Sequence, residues 1–297
     1  MKKVIAVCAL LVFVTGQLPA WGVKGHLIVA RLAQSRLTPA TKKNIRLLLG
    51  NDDLAAVAVW ADDIRKDRNE TFGWHFVDIP KDADAFSSPR DCFRPQDKNP
   101  AAQTDHDNCI VDRIDMFRQK LADPNASRND RVEALKFLVH FVGDIHQPLH
   151  DVDEARGGND IKVTAFGSDK CGDYLCNLHG VWDYSLIDHT GCSEADYVSH
   201  LNRLIKENRL DERREGRPED WANESHLLAR EVLAERAAAV DQAYYYGNIV
   251  LVDQQLALAG VRLAALLNDT LGRIPKKQLE QELKSHHPDD TQTRVTQ

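Results

Sequence analysis

The stretch around which this sequence is organised reads KFLVHFVGDIHQPLHD, residues 136–151. Its first part is apolar enough for a helix that is buried on all sides, yet it contains His140 and Asp144. A spacing of four residues places both side chains on one helical face, about one turn apart. Pro148 cannot continue the helix, so His150 follows in an irregular segment. We therefore expect the chain to pack around this helix.

Polar side chains on a buried helix need partners, because burying an unpaired polar group costs about 2–7 kcal/mol. One interpretation is a hydrogen-bonded His140–Asp144 pair inside a helical core. The other is a metal site, which requires further histidine or carboxylate ligands elsewhere in the chain. Both interpretations fit this stretch when it is taken alone.

The length and composition fit one large all-α domain. The chain has 297 residues, of which 43% are hydrophobic and 28% are charged, enough for a sizeable core. A single hairpin is predicted within residues 151–176, which contain Gly157-Gly158 and the β-prone Ile161-Lys162-Val163-Thr164, and residues 79–108 are predicted to form a surface loop. No internal span is predicted to be long enough to cross a membrane. The apolar periodicity predicts helices near residues 22–37, 39–49, 51–65, 110–121, 131–145, 178–188, 194–208, 219–236, 248–270 and 276–284.

The N-terminus has the pattern of a secretory signal peptide. Two lysines follow Met1, an apolar run extends from Val4 to Val14, and Ala20 is a small residue suited to cleavage. The alternative is a retained N-terminal anchor. We expect residues 1–20 to be the signal peptide, residues 21–285 the domain and residues 286–297 a polar tail. The protein would then be secreted or periplasmic.

Cleavage before Trp21 would change the net charge from −7 to −9, because the signal peptide carries two lysines and no acidic residue. An acidic protein has no general electrostatic attraction for nucleic acid. Any affinity for phosphate must therefore come from a local site, and bound divalent cations would provide one.

An exported chain can form disulfides. Cys171 and Cys176 enclose a short loop and are the best candidate pair, and Cys92 and Cys109 are the next. Cys192 is then left over, so the connectivity stays open at this point.

Further metal-type ligands occur in motifs on both sides of the central stretch. The motifs are Trp21-Gly22-Val23-Lys24-Gly25-His26, Trp60-Ala61-Asp62-Asp63-Ile64-Arg65, Trp74-His75-Phe76-Val77-Asp78, Gly157-Gly158-Asn159 and Asn177-Leu178-His179-Gly180-Val181-Trp182-Asp183. In this order they resemble the S1/P1 nuclease family of trinuclear zinc enzymes. The resemblance extends from Trp21 to about Asp183 and fades in the C-terminal third.

The resemblance implies the all-α phospholipase C/P1 nuclease fold and three zinc ions. It assigns the first zinc to Asp62, His75, His140 and Asp144. It assigns the second zinc to His150, His179 and Asp183. It assigns the third zinc to His26, to a shared Asp144, and to Trp21 through its free α-amino nitrogen and its backbone carbonyl. Three carboxylates against three dications would leave about three positive charges, which suits a phosphate-binding site.

The same resemblance nominates residues that act on the substrate. Asp62 would orient the attacking water, and Arg65, one turn later, would hold a phosphoryl oxygen. The alternative for Arg65 is a salt bridge to a neighbouring acid. Phe76 would stack on a base, Asp78 would hydrogen-bond to it, and Asn159 would line the pocket. The alternative for Phe76 is core packing.

Arg156 stands where the family can have an apolar residue, so the base preference stays open. A guanidinium at this position could also add a phosphate contact.

Together these features predict an exported zinc-dependent endonuclease, a monomer with no membrane partner. It would cleave single-stranded DNA and RNA to 5′-phosphorylated products, and would also release phosphate from 3′-nucleotides, with zinc-activated water as the nucleophile. One rival is a bacterial-type phospholipase C, which shares the fold and would need an apolar, lipid-facing pocket. Another is a non-enzymatic zinc-binding protein with saturated coordination. The Trp60–Arg65 and Trp74–Asp78 motifs favour the nuclease.

Overall fold

The protein is described by a computed structural model that covers residues 21–95, 100–235 and 238–285. The predicted signal peptide and polar tail lie outside the described residues. The described chain is dominated by helices, which confirms the all-α class. The helices are α1 (Val23–Arg36), α2 (Pro39–Leu49), α3 (Trp60–Asp63), α4 (Ser88–Asp91), α5 (Pro100–Thr104), α6 (Ile110–Ala122), α7 (Arg128–Asp144), α8 (Leu178–Gly180), α9 (Leu186–His189), α10 (Glu194–Glu207), α11 (Pro218–Ala234), α12 (Gln242–Thr270) and α13 (Lys276–Ser285).

Helix α7 lies at the centre of the fold, as its sequence predicts. It starts at a capping box in which the Asp130 backbone N–H donates to Ser127 Oγ at 3.1 Å and the Asp130 carboxylate accepts from the Ser127 backbone N–H at 3.3 Å. Every residue from 137 to 144 is buried. Helices α1, α3, α6 and α12 pack around it. The helix therefore carries its last two turns, with His140 and Asp144, into the core.

Helix α12 differs from the sequence-based prediction in its start and in its hydropathy. It begins at Gln242, six residues before the predicted start, because the Asp241 side chain caps it by accepting from the two backbone N–H groups that follow Gln242. It is also long and apolar enough to cross a membrane, with a mean hydropathy of 1.5. The prediction that no internal span is long enough to cross a membrane is therefore wrong. However, 72% of that apolar window is buried, which is typical of a core helix. A Cβ on Gly260 would lie 2.5 Å from Leu32 Cβ, so glycine allows α12 to approach α1 closely.

The short strands differ from the predicted hairpin. Strand β1 (Thr164–Ala165) pairs in parallel with β4 (Ala239–Val240), whereas β2 (Lys170–Cys171) and β3 (Tyr174–Leu175) form the antiparallel hairpin. The observed hairpin therefore lies within the predicted span, residues 151–176, but its strands come after the β-prone residues 161–164. The last of these β-prone residues, Thr164, does lie in a strand, but that strand pairs with Ala239–Val240, far along the chain. The real hairpin depends on the turn at Gly172, whose φ is 61°.

Both candidate disulfides are present in the structure. Cys92 is bonded to Cys109, and Cys171 is bonded to Cys176, closing the β2–β3 hairpin. Cys192 is free and half-buried. The first disulfide attaches the segment around residue 92 to the start of α6, next to the functional site described below.

Candidate metal centre

The predicted side-chain ligands meet in one buried cluster at the C-terminal end of α7. All are buried except Asp62, whose side chain is 10% exposed. They come from α1, α3, the segment before residue 76, α7, the turn Pro148–His150 and the helical stretch that starts with α8. The structure brings together His26, Asp62, His75, His140, Asp144, His150, His179 and Asp183.

Asp144 is the centre of the larger group. Its Oδ1 lies 3.2 Å from Nε2 of His26, and its Oδ2 lies 3.1 Å from Nδ1 of His75 and 3.2 Å from Nε2 of His140. Oδ1 of Asp62 lies 3.5 Å from the same His140 nitrogen. The two oxygens of Asp144 thus face different histidines. A carboxylate placed in this way could contact one cation on each side.

A second group lies beside the first. Nε2 of His179 is 3.3 Å from Asp183 Oδ2, and Nε2 of His150 is 3.9 Å from Asp183 Oδ1. The sequence predicted one α-helix here, but residues Val181–Ser185 wind as a π-helix, a form that occurs frequently at functional sites. Gln147 donates to Asp183 Oδ1 at 2.7 Å and orients that carboxylate. Sequence reasoning missed Gln147, because a glutamine carries no metal-ligand signal.

Backbone carbonyls orient three of the histidines. Nδ1 of His140 donates to the carbonyl of Ala58 at 2.7 Å. Nδ1 of His150 donates to the carbonyl of His75 at 2.9 Å, and Nδ1 of His179 donates to that of Gly157 at 2.7 Å. These bonds turn Nε2 of each of the three rings toward the cluster.

Most of the atoms that face into the cluster lack hydrogen-bond partners, which is the test of whether a cation fits; Nδ1 of His75 and Oδ2 of Asp144, which bond to each other, are exceptions. The atoms without partners are Nε2 of His26, His140 and His150, Oδ1 of Asp62 and Asp144, and Oδ2 of Asp183. Orphaned buried nitrogen and carboxylate oxygen atoms are unfavourable unless a cation coordinates them. Neutral imidazoles with carboxylates are also the ligand set that zinc prefers. The residues therefore fit divalent zinc.

Burial sets the protonation of several ligands. It lowers the pKa of His75 to about 4 and that of His179 to about 3, so both imidazoles are neutral at pH 7, as metal ligands must be. Burial also raises the pKa of the Asp183 carboxyl well above its usual range. For His140, burial alone would lower the pKa, but the carboxylates of Asp144 and Asp62 outweigh it and raise the pKa to about 10.

The extended segment after His75 forms the rim of the cluster. Its backbone is paired on both sides, because Val77 N–H donates to the carbonyl of His150 at 2.8 Å and Ile110 N–H donates to that of Phe76 at 3.0 Å. Extended backbone turns alternate side chains to opposite faces. Residues 75, 77 and 79 are buried, whereas Phe76 and Asp78 are partly exposed. The two predicted base contacts thus lie side by side at the rim.

Two other predicted substrate residues have protein partners. Nη2 of Arg65 lies 3.0 Å from Asp62 Oδ1, so the neighbouring salt bridge considered for Arg65 is present. Asn159 donates to the carbonyl of Arg156 at 2.9 Å and lies 3.4 Å from Nδ2 of Asn177, which caps α8. Asn159 therefore supports the loop that leads to His179. The substrate contacts of both residues stay predictions.

Replacing Gly157 with alanine is expected to release metal from the second group. The residue has a φ of 61°, and a Cβ would lie 2.2 Å from the Leu149 carbonyl oxygen and 3.3 Å from His179 Nδ1. Both His150, which follows Leu149, and His179 must then shift. Metal analysis of the purified variant would measure the loss.

The matched control is Gly167→Ala, because Gly167 has a φ of 82° and no atom within 4 Å of the added Cβ. Left-handed backbone costs roughly 1–2 kcal/mol in both variants, so a greater loss of zinc in Gly157→Ala would come from the contacts of its added Cβ. Equal zinc content in both variants would show that Gly157 does not position the ligands.

The fold and the site define the class of protein, an all-α protein with a buried cluster of candidate metal ligands. Residues 21–272 match the model of the S1/P1 nuclease family. The chain is 30% identical over 283 residues to Nuclease P1 of Penicillium citrinum, covering 85% of this chain and 98% of that protein. It is 29% identical over 290 residues to Endonuclease 2 of Arabidopsis thaliana (88% and 94% covered) and 28% identical over 277 residues to Nuclease S1 of Aspergillus oryzae (84% and 91% covered).

The chain therefore belongs to the S1/P1 nuclease family. It is a hydrolase of the nuclease type, and its family is zinc-dependent. Family membership favours the nuclease over the phospholipase C and the non-enzymatic zinc-binding protein.

Proposed function

We propose that the protein is an exported endonuclease that uses three zinc ions to hydrolyse single-stranded DNA and RNA to 5′-phosphorylated products, and that it also removes the phosphate of 3′-nucleotides. The observation that carries the proposal is the set of orphaned ligand atoms around Asp144 and Asp183. Three related proteins that are named nucleases or endonucleases support the reaction type.

The distances favour a particular division of the ligands. Asp62, His75, His140 and Asp144 would hold the first zinc, and His150, His179 and Asp183 the second. His26 and the other oxygen of Asp144 would hold the third, together with the α-amino nitrogen and carbonyl of Trp21. Trp21 is fully buried, and a Cβ on Gly143 would lie 3.0 Å from His26 Nδ1 and 3.9 Å from Trp21 Cδ1, so the two residues are neighbours.

Export supports this arrangement, because cleavage before Trp21 would create the free amine. The family match begins at residue 21, and the structure contains two disulfides, which are compatible with an oxidising compartment.

Bound zinc would act as a Lewis acid and lower the pKa of a water molecule. The protein residues would then orient the reactants. Asp62 is the only carboxylate of the cluster that is partly exposed, so it can accept a hydrogen bond from the attacking water and direct it toward the phosphorus. Arg65 uses one nitrogen for Asp62, and its remaining guanidinium donors can hold a non-bridging phosphoryl oxygen.

The position of Phe76 supports a preference for single strands. A base can stack on a ring at the rim of a buried site only if it is first unstacked and unpaired, which costs least in a single strand. The carboxylate of Asp78, on the same side of the segment, can accept from the amino or imino groups of that base.

The test combines metal analysis with a panel of substrates. The protein that starts at Trp21 would be assayed for zinc by mass spectrometry and for turnover of single-stranded DNA, duplex DNA and p-nitrophenylphosphorylcholine, before and after chelation. We expect three zinc ions per chain, single-strand cleavage that chelation abolishes, and 5′-phosphate ends. Turnover of the choline ester alone would support phospholipase C. Bound zinc with no turnover of any substrate would support the non-enzymatic protein.

Replacing Phe76 with alanine is expected to raise KM for nucleic acid more than it lowers stability. Stacking of a base on an aromatic ring contributes about 1–3 kcal/mol, which corresponds to roughly a 5- to 150-fold rise in KM. Steady-state kinetics and thermal unfolding would be measured together. Phe166→Ala is the control, because Phe166 is also half-buried but stacks on His189 instead of lining the rim. A large fall in melting temperature with unchanged KM would show that Phe76 only packs in the core.

A further inference from the structure

The ring of Phe76 is covered by a side chain of the protein itself. Cζ of Arg94 lies 4.6 Å from the centroid of the Phe76 ring, and Nε of Arg94 lies 3.5 Å from Asp78 Oδ2. The Arg94 side chain is 23% exposed. One guanidinium therefore contacts both residues that we assign to base binding.

The backbone that carries Arg94 is attached to the neighbouring segment at two points. Cys92 is bonded to Cys109, and the ring of Phe93 stacks on His106 with centroids 4.1 Å apart. Residue 110, next to Cys109, donates its N–H to the carbonyl of Phe76. These attachments hold the backbone of Arg94 beside Phe76. The face of the Phe76 ring can therefore be exposed only if the side chain of Arg94 moves.

A guanidinium and a nucleobase present the same chemistry to this pair of residues. Both are planar and delocalised, both stack on aromatic rings, and both offer N–H donors at an edge to a carboxylate. Inserting a base between Arg94 and Phe76 would require their separation to grow by about one ring thickness, roughly 3.5 Å. At 4.6 Å the two groups are already in contact.

We propose that Arg94 is a gate that occupies the base position of the substrate-free enzyme and must swing away before a base can bind. This inference rests on the proposed function, which assigns Phe76 and Asp78 to the base. A gate of this kind weakens the binding of every base by the same factor, in substrate and product alike. It therefore lowers affinity for the 5′-nucleotide product and favours product release. A ligand without a base does not meet the gate.

The test measures binding directly. The affinity of the zinc-loaded protein for 5′-dAMP and for deoxyribose 5-phosphate would be measured by calorimetry, with KM for single-stranded DNA alongside. In Arg94→Ala we expect Kd for 5′-dAMP and KM to fall about tenfold, because a cation–π contact and a partly exposed ion pair no longer have to be broken. Kd for deoxyribose 5-phosphate should not change.

Further variants separate the gate from a change in charge or stability. Arg94→Lys keeps the charge near Asp78 but cannot stack as a plane, so it should give an intermediate Kd, and it serves as the test if the alanine variant does not fold. Arg118→Ala removes an equal charge from α6, where Arg118 is half exposed and pairs with Asp115. This control should leave both affinities at the wild-type value. Arg94→Ala should have little effect on 5′-dAMP binding when Phe76 is already alanine.

The outcomes distinguish the gate from the function on which it rests. If Phe76→Ala weakens 5′-dAMP binding while Arg94→Ala weakens it or leaves it unchanged, the gate is wrong and the base site stands. If Phe76→Ala leaves 5′-dAMP binding at the wild-type level, the base site and the gate are both wrong.

Discussion

Replacing Asp144 with asparagine is expected to remove more than one zinc ion per chain and to abolish hydrolysis. The two carboxylate oxygens of Asp144 face His26 on one side and His75 and His140 on the other, at 3.1–3.2 Å. Asparagine keeps the shape but loses the negative charge, and its amide nitrogen cannot bind a cation. Loss of an outer partner of a ligand lowers metal affinity about 10- to 100-fold, so loss of a bridging ligand should lower the affinity of two sites by more than that.

The measurement is zinc per chain after dialysis against a weak chelator, together with turnover of single-stranded DNA. The control is Glu133→Gln, which removes the same charge from a partly exposed position on the same helix, where Glu133 pairs with Arg68. The control should keep its zinc and its activity. Three zinc ions retained by Asp144→Asn would show that this carboxylate does not bridge.

Adding one residue before Trp21 is expected to remove the third zinc and nearly all activity while leaving the fold intact. The added residue would convert the α-amine into an amide, which is planar, weakly basic and a poor ligand. Trp21 is fully buried, and a Cβ on Gly25 would lie 2.8 Å from Trp21 Cβ, so the new residue would have little space to shift the tryptophan. The helices are stabilised by apolar packing elsewhere and should persist.

The experiment compares two proteins that differ by a single uncleaved glycine before Trp21. Zinc content, circular dichroism and turnover of single-stranded DNA would be measured for both. We expect matching spectra, one zinc fewer and a collapse of turnover in the extended protein. Equal zinc and equal turnover would rule out the α-amino ligand and, with it, the trinuclear centre.

Much of the helical fold could be predicted because its signals are local. Helix α7 has both a capping box and a buried apolar sequence, and its observed start at Arg128 lies three residues from the predicted one. The strands could not be placed in the same way. Thr164 pairs with Ala239 in a two-residue ladder, and no local pattern specifies a partner so far along the chain.

In the candidate site, too, the features with a local sequence signal could be predicted, and the contacts between distant segments could not. The candidate ligand residues could be nominated because their motifs resemble those of the S1/P1 nuclease family, and the structure brings their side chains together. The pairing of Arg65 with Asp62, the hydrogen bond from Gln147 to Asp183 and the position of Arg94 over Phe76 depend on how separate segments approach one another. Arginines and glutamines on loops have no periodicity that could predict such contacts.

Backbone carbonyls accept the hydrogen bonds that orient His140, His150 and His179. This choice of acceptor affects which substitutions the enzyme can tolerate during evolution. A carbonyl oxygen is present whatever amino acid the codon specifies, so no point mutation at Ala58 can delete the acceptor that His140 uses. A side-chain acceptor at the same place would be lost to most single-nucleotide changes. At Gly157 the backbone angle and the close approach of the Leu149 carbonyl, not the acceptor, restrict the residue. Where the carbonyl is the only contribution of a residue, that residue can therefore be substituted during evolution without changing the orientation of the histidine it holds. Selection can then act separately on the rim residues that contact the substrate.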